Sequence, residues 1–140
     1  MSGPGSGAVV LAAGERLRGR RVLIADDAAI NRMVVERALQ REGADVAQAE
    51  HGREALDRLE AEPRGFDAVL MDIQIPVMDG LAATRAIRRD PRWTGLKVIA
   101  LTAGVLSEER DAALSAGADD FLSKPVDLGE MISRLMPPAA

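Results

Sequence analysis

The chain has 140 residues, 47% hydrophobic and 29% charged, which suits one domain with a packed core and argues against wholesale disorder. Only Phe66, Trp93 and Phe121 are aromatic, there is no cysteine, and His51 is the sole histidine. This excludes disulfides, thiolate nucleophiles, cysteine-ligated zinc and His-based cages or triads. A net charge of −4 lacks the basic footprint of a nucleic-acid binder, and no apolar run approaches the ~20 residues of a membrane span.

Residues 1–20 read as a flexible N-terminal linker or cloning remnant. Ser2-Gly3-Pro4-Gly5-Ser6-Gly7 is Gly/Ser-rich, and no positive charge precedes the apolar Ala8–Ala13 run, as a signal peptide requires. From Arg21 the pattern alternates. Arg21–Ala25 is a continuous apolar run ending in Asp26-Asp27 and predicts a strand buried on both faces. Ala28–Glu42 predicts a helix with Ile30, Met33 and Val34 on one side and Gly43 as its stop. Asp45–Ala49 predicts a second strand, and Arg53–Glu60 a short helix closed by Pro63 and Gly65.

Phe66–Met71 predicts a third strand, again ending in an aspartate, Asp72. Pro76 and Gly80 bracket a loop before a helix over Leu81–Arg89, which Asp90-Pro91 breaks. Lys97–Leu101 predicts a fourth strand ending at Thr102. A helix over Ser107–Ala116 follows, with Ser107 as N-cap and Glu108 and Glu109 in its first turn. Asp119–Leu122 is a short last strand before Ser123-Lys124-Pro125. Leu128, Met131, Ile132, Leu135 and Met136 then follow the helical i, i+3, i+4, i+7, i+8 stripe.

Five strand–helix repeats with short joints imply a parallel sheet with helices on both faces, whose function gathers outside the C-terminal strand ends. At that edge this chain carries Asp26, Asp27, Asp72, Thr102 and Lys124. Any one of them reads first as a strand terminator or helix cap. Three acids, a hydroxyl and an amine converging on one edge read otherwise. Close carboxylates repel one another, and a hard cation such as Mg²⁺ relieves that repulsion through oxygen ligands. Asp72 is then placed to attack phosphorus, with Lys124 neutralising and Thr102 hydrogen-bonding the phosphoryl oxygens.

Four segments carry a resemblance. Val22–Asp27, Leu70–Gly80, Ala100–Ala103 and Phe121–Pro125, in that order and spacing, resemble the motifs of response-regulator receiver domains. The resemblance covers residues 21–136, with 137–140 as a tail. It implies a flavodoxin-like (βα)5 fold, a three-layer sandwich with strand order 2-1-3-4-5, in which a phosphohistidine donates a phosphoryl group to an aspartate. By motif position Asp72 is the acceptor. Asp27 and Asp72 ligate Mg²⁺ (Mn²⁺ being an alternative) with the backbone carbonyl of Gln74, and Asp26 acts directly or through water. Thr102, Lys124 and the backbone amides of Ile73 and Ala103 contact the phosphoryl group. Thr102 and Phe121 form the switch.

The Asp27–Arg32 and Met71–Gly80 segments look like receivers of hybrid sensor kinases, although Ala28 stands where many of these carry Asn. The implied partner is a sensor histidine kinase or a histidine-containing phosphotransfer domain, with neither nucleic acid nor membrane contacted by this domain. The implied location is cytoplasmic, in a stand-alone regulator or inside a membrane-anchored kinase. The domain would catalyse only its own phosphorylation and dephosphorylation. With Pro137–Ala140 ending the chain, no output domain is expected, and the sequence leaves the oligomeric state open.

A pseudo-receiver acting only as a docking module is the main alternative, disfavoured because every site residue is present. A flavin protein of the same fold is disfavoured by the acidic Asp26-Asp27 after the first strand. An aspartyl-phosphate hydrolase is disfavoured by Gln74 where a second acid is wanted. His51 reads as a solvated turn residue, Arg85, Arg88 and Arg89 as a solvated helix face, and Trp93 as loop packing.

Overall fold

The computed structural model describes residues 15–73, 79–103 and 107–137. Strands β1 (Arg21–Ala25), β2 (Asp45–Ala49), β3 (Ala68–Asp72), β4 (Lys97–Thr102) and β5 (Asp120–Ser123) alternate with helices α1 (Ala29–Gln40), α2 (Gly52–Ala61), α3 (Gly80–Arg89), α4 (Ser107–Ala116) and α5 (Leu128–Leu135). A 3-10 turn at Pro91–Trp93, absent from the sequence expectation, joins α3 to β4. The strands form one parallel sheet in the order β2-β1-β3-β4-β5. This is the expected flavodoxin-like topology.

Period-two alternation divides the core. Val22, Ile24, Leu70, Ile99 and Leu101 face α1 and α5, packing with Leu39, Met131, Ile132 and Leu135. Leu23, Ala25, Val69, Met71, Val98 and Ala100 face α2, α3 and α4, packing with Leu56, Leu59, Ala83, Ile87 and Ala113. Trp93 joins this second cluster at 4% exposure, so it is core and not surface. Aspartate caps set the starts of α3 and α5. Asp79 accepts from the Ala82 amide at 2.8 Å and Asp127 from the Glu130 amide at 3.1 Å.

Three expectations need correction, and the structure also shows which way the shared face of α1 turns. Residues 15–20 are not linker: Leu17 is fully buried in the α1/α5 cluster, its amide donates to the Glu42 carbonyl at 2.7 Å, and the Arg16 guanidinium grips the buried Glu42 carboxylate at 3.0 Å through both Nε and Nη2. The Ile30, Met33 and Val34 side of α1 points outward, at 71%, 43% and 49% exposure, while Arg32 and Leu39 point in. His51 is the cap of α2, its Nδ1 accepting from the Glu54 amide at 3.1 Å. Arg88 is half-buried and not part of a solvated face: it donates to the carbonyls of Gly117, Trp93 and Leu96 and to Asp119. The N-cap expected of Ser107 rests on a side chain outside the described residues. Among the described residues no helix is long and apolar enough to cross a membrane.

Candidate functional site

The chain runs from β1 to β2 on one side of the sheet and returns to β3 on the other, so the crevice at the C-terminal ends of β1 and β3 is the topological switch point. Asp26 and Asp27 leave β1 there and Asp72 closes β3. One carboxylate oxygen from each lies within 4.8 Å of the others. Asp26 and Asp72 are buried, at 4% and 2% exposure, while Asp27 is open to solvent. Burial pushes the Asp26 carboxyl above the usual carboxylate range. The Ala28 amide, donating to it at 2.8 Å, opposes this, and the neighbouring Asp72 charge adds to it.

Lys124, just beyond β5, carries the balancing charge. Its Nζ lies 2.7 Å from Asp72 Oδ2, and its amide donates to the Thr102 carbonyl at 2.8 Å, which keeps it in register with β4. The Lys124–Pro125 peptide is cis. Thr102 is fully buried, and its hydroxyl donates to the Leu122 carbonyl at 3.5 Å. The two amides named from sequence are both engaged. The Ile73 amide donates to the Leu101 carbonyl at 3.2 Å, because the β3–β4 ladder runs one residue past the strand. The Ala103 amide donates to the Glu109 carboxylate at 2.6 Å. Phe121 is half-buried against the α2/α3/α4 core, with the Arg110 guanidinium 5.7 Å from its ring centroid. Gln74 lies outside the described residues.

Sequence reasoning missed two parts of this crevice. Arg32 is buried on α1, with Nη1 donating to the Asp26 carbonyl at 2.6 Å and Nε to Gln48 Oε1 at 2.9 Å, so it braces the turn that carries the acidic pair. Its seven-residue spacing from Leu39, two helical turns, was the available signal. Gly80 packs against the end of β3: a Cβ there would lie 2.3 Å from the Asp72 carbonyl oxygen and 2.5 Å from Ile73 Cα. Glycine is therefore the residue this approach admits. Beside the acids, a groove of about 520 Å³ runs between α1 and α5, lined by Asp26, Asn31, Val34, Val35, Lys124, Val126 and Met131 among others.

Three carboxylates with hard oxygen donors, two of them buried, fit a small divalent cation, and the Lys124 ammonium suits an anion arriving above Asp72. The profile of the response regulator receiver domain matches residues 22–136. A sensor histidine kinase of Pseudomonas protegens, GacS, is 40% identical over 112 residues, which are 78% of this chain and only 12% of that protein. Among solved structures, the receiver domain of a Pseudomonas aeruginosa sensor histidine kinase, with a magnesium ion coordinated in its active-site cleft, is 37% identical with a TM-score of 0.75, covering 84% of this chain and 94% of that one. A Saccharomyces cerevisiae co-crystal of a histidine phosphotransfer protein with the receiver domain of its downstream response regulator gives 26% identity and a TM-score of 0.77, covering 85% and 88%. A switch-point crevice of three acids and a lysine, within a profile match that spans most of the chain, places this protein in the response regulator receiver domain family, the phosphorelay module of two-component signalling.

Proposed function

We propose that Asp72 is the phosphoacceptor, taking its phosphoryl group from a phosphohistidine. The observation that carries this is the Asp72 carboxylate itself: buried at the end of β3, within 4.8 Å of Asp26 and Asp27, and 2.7 Å from the Lys124 ammonium. In the transfer an Asp72 carboxylate oxygen bonds to phosphorus as the phosphorus–nitrogen bond breaks. The imidazole nitrogen keeps the electron pair, and the ring leaves neutral with its proton on the other nitrogen. Lys124 balances charge on the phosphoryl oxygens. Thr102, turned toward Leu122 in this structure, and the Ala103 amide are the donors placed to follow them.

Asp26, Asp27 and Asp72 would hold Mg²⁺, or Mn²⁺ through the same oxygens. When bound, the ion supplies positive charge to the acceptor carboxylate and the incoming phosphoryl group. Arg32 keeps the Asp26 backbone in place for that purpose, and the buried walls of the crevice limit water at Asp72.

The donor, a histidine-containing phosphotransfer domain or the histidine-bearing domain of a sensor kinase, lands on α1. Its exposed Ile30, Met33 and Val34 adjoin the groove that leads to Asp26 and Lys124. We take residues 15–136 as the unit, working in the cytoplasm as the receiver of a hybrid kinase or as a single-domain regulator. It catalyses its own phosphorylation and dephosphorylation, and its output is a shift in the surface it shows a partner.

Intact-mass spectrometry after acetyl phosphate treatment, with and without Mg²⁺, tests the reading. One phosphoryl adduct that needs both the ion and Asp72 is expected, with Asp72→Asn unlabelled. No adduct from acetyl phosphate or from a phosphohistidine donor would make the chain a docking module.

A further inference from the structure

Helix α4 begins Ser107-Glu108-Glu109-Arg110, and two of these side chains reach back to the sheet, one to the end of β4 and one to β5. Glu109 Oε1 lies 2.6 Å from the Ala103 nitrogen, and the Arg110 guanidinium stands 5.7 Å over the Phe121 ring. The Ala103 amide is the first backbone donor beyond β4, two residues past Leu101, which pairs with Asp72 in the sheet. An amide at that place is a preformed donor for an oxyanion. Here a carboxylate already holds it in a short, charge-assisted bond. Glu108 has the same charge in the same turn and faces solvent.

We propose that Glu109 is a built-in competitor for the phosphoryl group. Its carboxylate holds the Ala103 amide while Asp72 is unmodified, and a phosphoryl oxygen displaces it. This rests on Asp72 being the phosphoacceptor. A phosphoryl group brings a charge of about −1.5 to −2 near pH 7, more than the single charge of a carboxylate, so it both takes the amide and repels Glu109. The displaced residue belongs to the first turn of α4, so occupancy at Asp72 is passed to that helix by one side chain. The device also has a cost: if the carboxylate holds the amide about nine-tenths of the time, apparent affinity for an anion that needs it falls about tenfold.

The test is a beryllofluoride titration of the full chain with Mg²⁺, followed by fluorine NMR, with the Ala103 amide followed by proton–nitrogen NMR. Glu109→Gln removes the charge, Glu109→Asp keeps it on a shorter arm, and Glu108→Gln removes a neighbouring charge. Both Glu109 variants should bind about three- to tenfold more tightly than wild type and shift the free-state Ala103 amide. Glu108→Gln should stay within about twofold, as a screened surface charge does. Glu109 variants that match wild type, or a Glu108→Gln gain as large as theirs, would overturn the inference while leaving Asp72 as acceptor. A wild-type chain that takes up no beryllofluoride would overturn the acceptor reading and this inference with it.

Discussion

The Asp26 carboxyl is 4% exposed and shares its crevice with Asp72 and Asp27. Burial, more than either neighbour, raises its pKa in the fold. A raised carboxyl binds its proton more tightly folded than unfolded. Its favourable contribution is therefore full below the ordinary carboxylate range and is lost as pH rises through the folded value. At neutral pH the metal-free chain carries this charge at a cost, so Asp26→Asn should raise its melting temperature by a few degrees and flatten the loss of stability with rising pH. The same substitution should shrink the further stabilisation that Mg²⁺ gives wild type. Melting curves across pH with chelator and with Mg²⁺ check both, and an unchanged Mg²⁺ response would remove Asp26 from the cation site. The acids, Thr102 and Lys124 were legible from sequence because each follows an apolar strand. Arg32 and Glu109 were not, since each reaches the crevice from a helix, and only the packing of α1 and α4 brings them there.

Helix α1 shows what periodicity can and cannot tell. Ile30, Met33 and Val34 fall at i, i+3 and i+4, the pattern of a core stripe, yet they face solvent. Spacing says which residues share a face, and only the sheet decides which way that face turns. Here the inward side is given to Leu39 and to Arg32, which is bonded to Asp26 and Gln48. An exposed apolar stripe beside the crevice has a use only if a partner covers it. Replacing Ile30 and Met33 with Ser should slow transfer from a phosphohistidine donor by about tenfold or more. Rates from that donor and from acetyl phosphate are compared, because a contact residue alters their ratio and a misfolded variant lowers both.

Across the whole molecule, the domain is larger than its strand–helix rhythm suggests. Glu15–Arg20 holds a single large apolar residue, so periodicity had nothing to register, yet Leu17 joins the cluster that holds Val22, Leu39 and Leu135. Leu17→Ala should cost about 2–5 kcal/mol, the range for emptying a fully buried leucine site, measured by urea unfolding. A cost below about 0.5 kcal/mol, typical of a surface position, would return the segment to linker status. A parallel sheet with helices on both faces was legible, since apolar runs and turn residues repeat five times in register with the fold, whereas the strand order came from the receiver-domain resemblance.

Helix α3 is fastened differently from its neighbour α4. At its start the Gly80 backbone lies against the Asp72 carbonyl with no room for a side chain, and at its end Arg88 clasps three carbonyls and Asp119. Gly117 makes that clasp possible: its φ is 111°, and a Cβ there would lie 2.3 Å from Arg88 Cγ. In mechanical terms Arg88 is a pin that joins the end of α3 to the residue just past α4. If Asp72 takes a phosphoryl group, as proposed, a push from Thr102 and Ala103 would meet α3 pinned at both ends and would reach α4 first at the turn that Glu109 ties to Ala103.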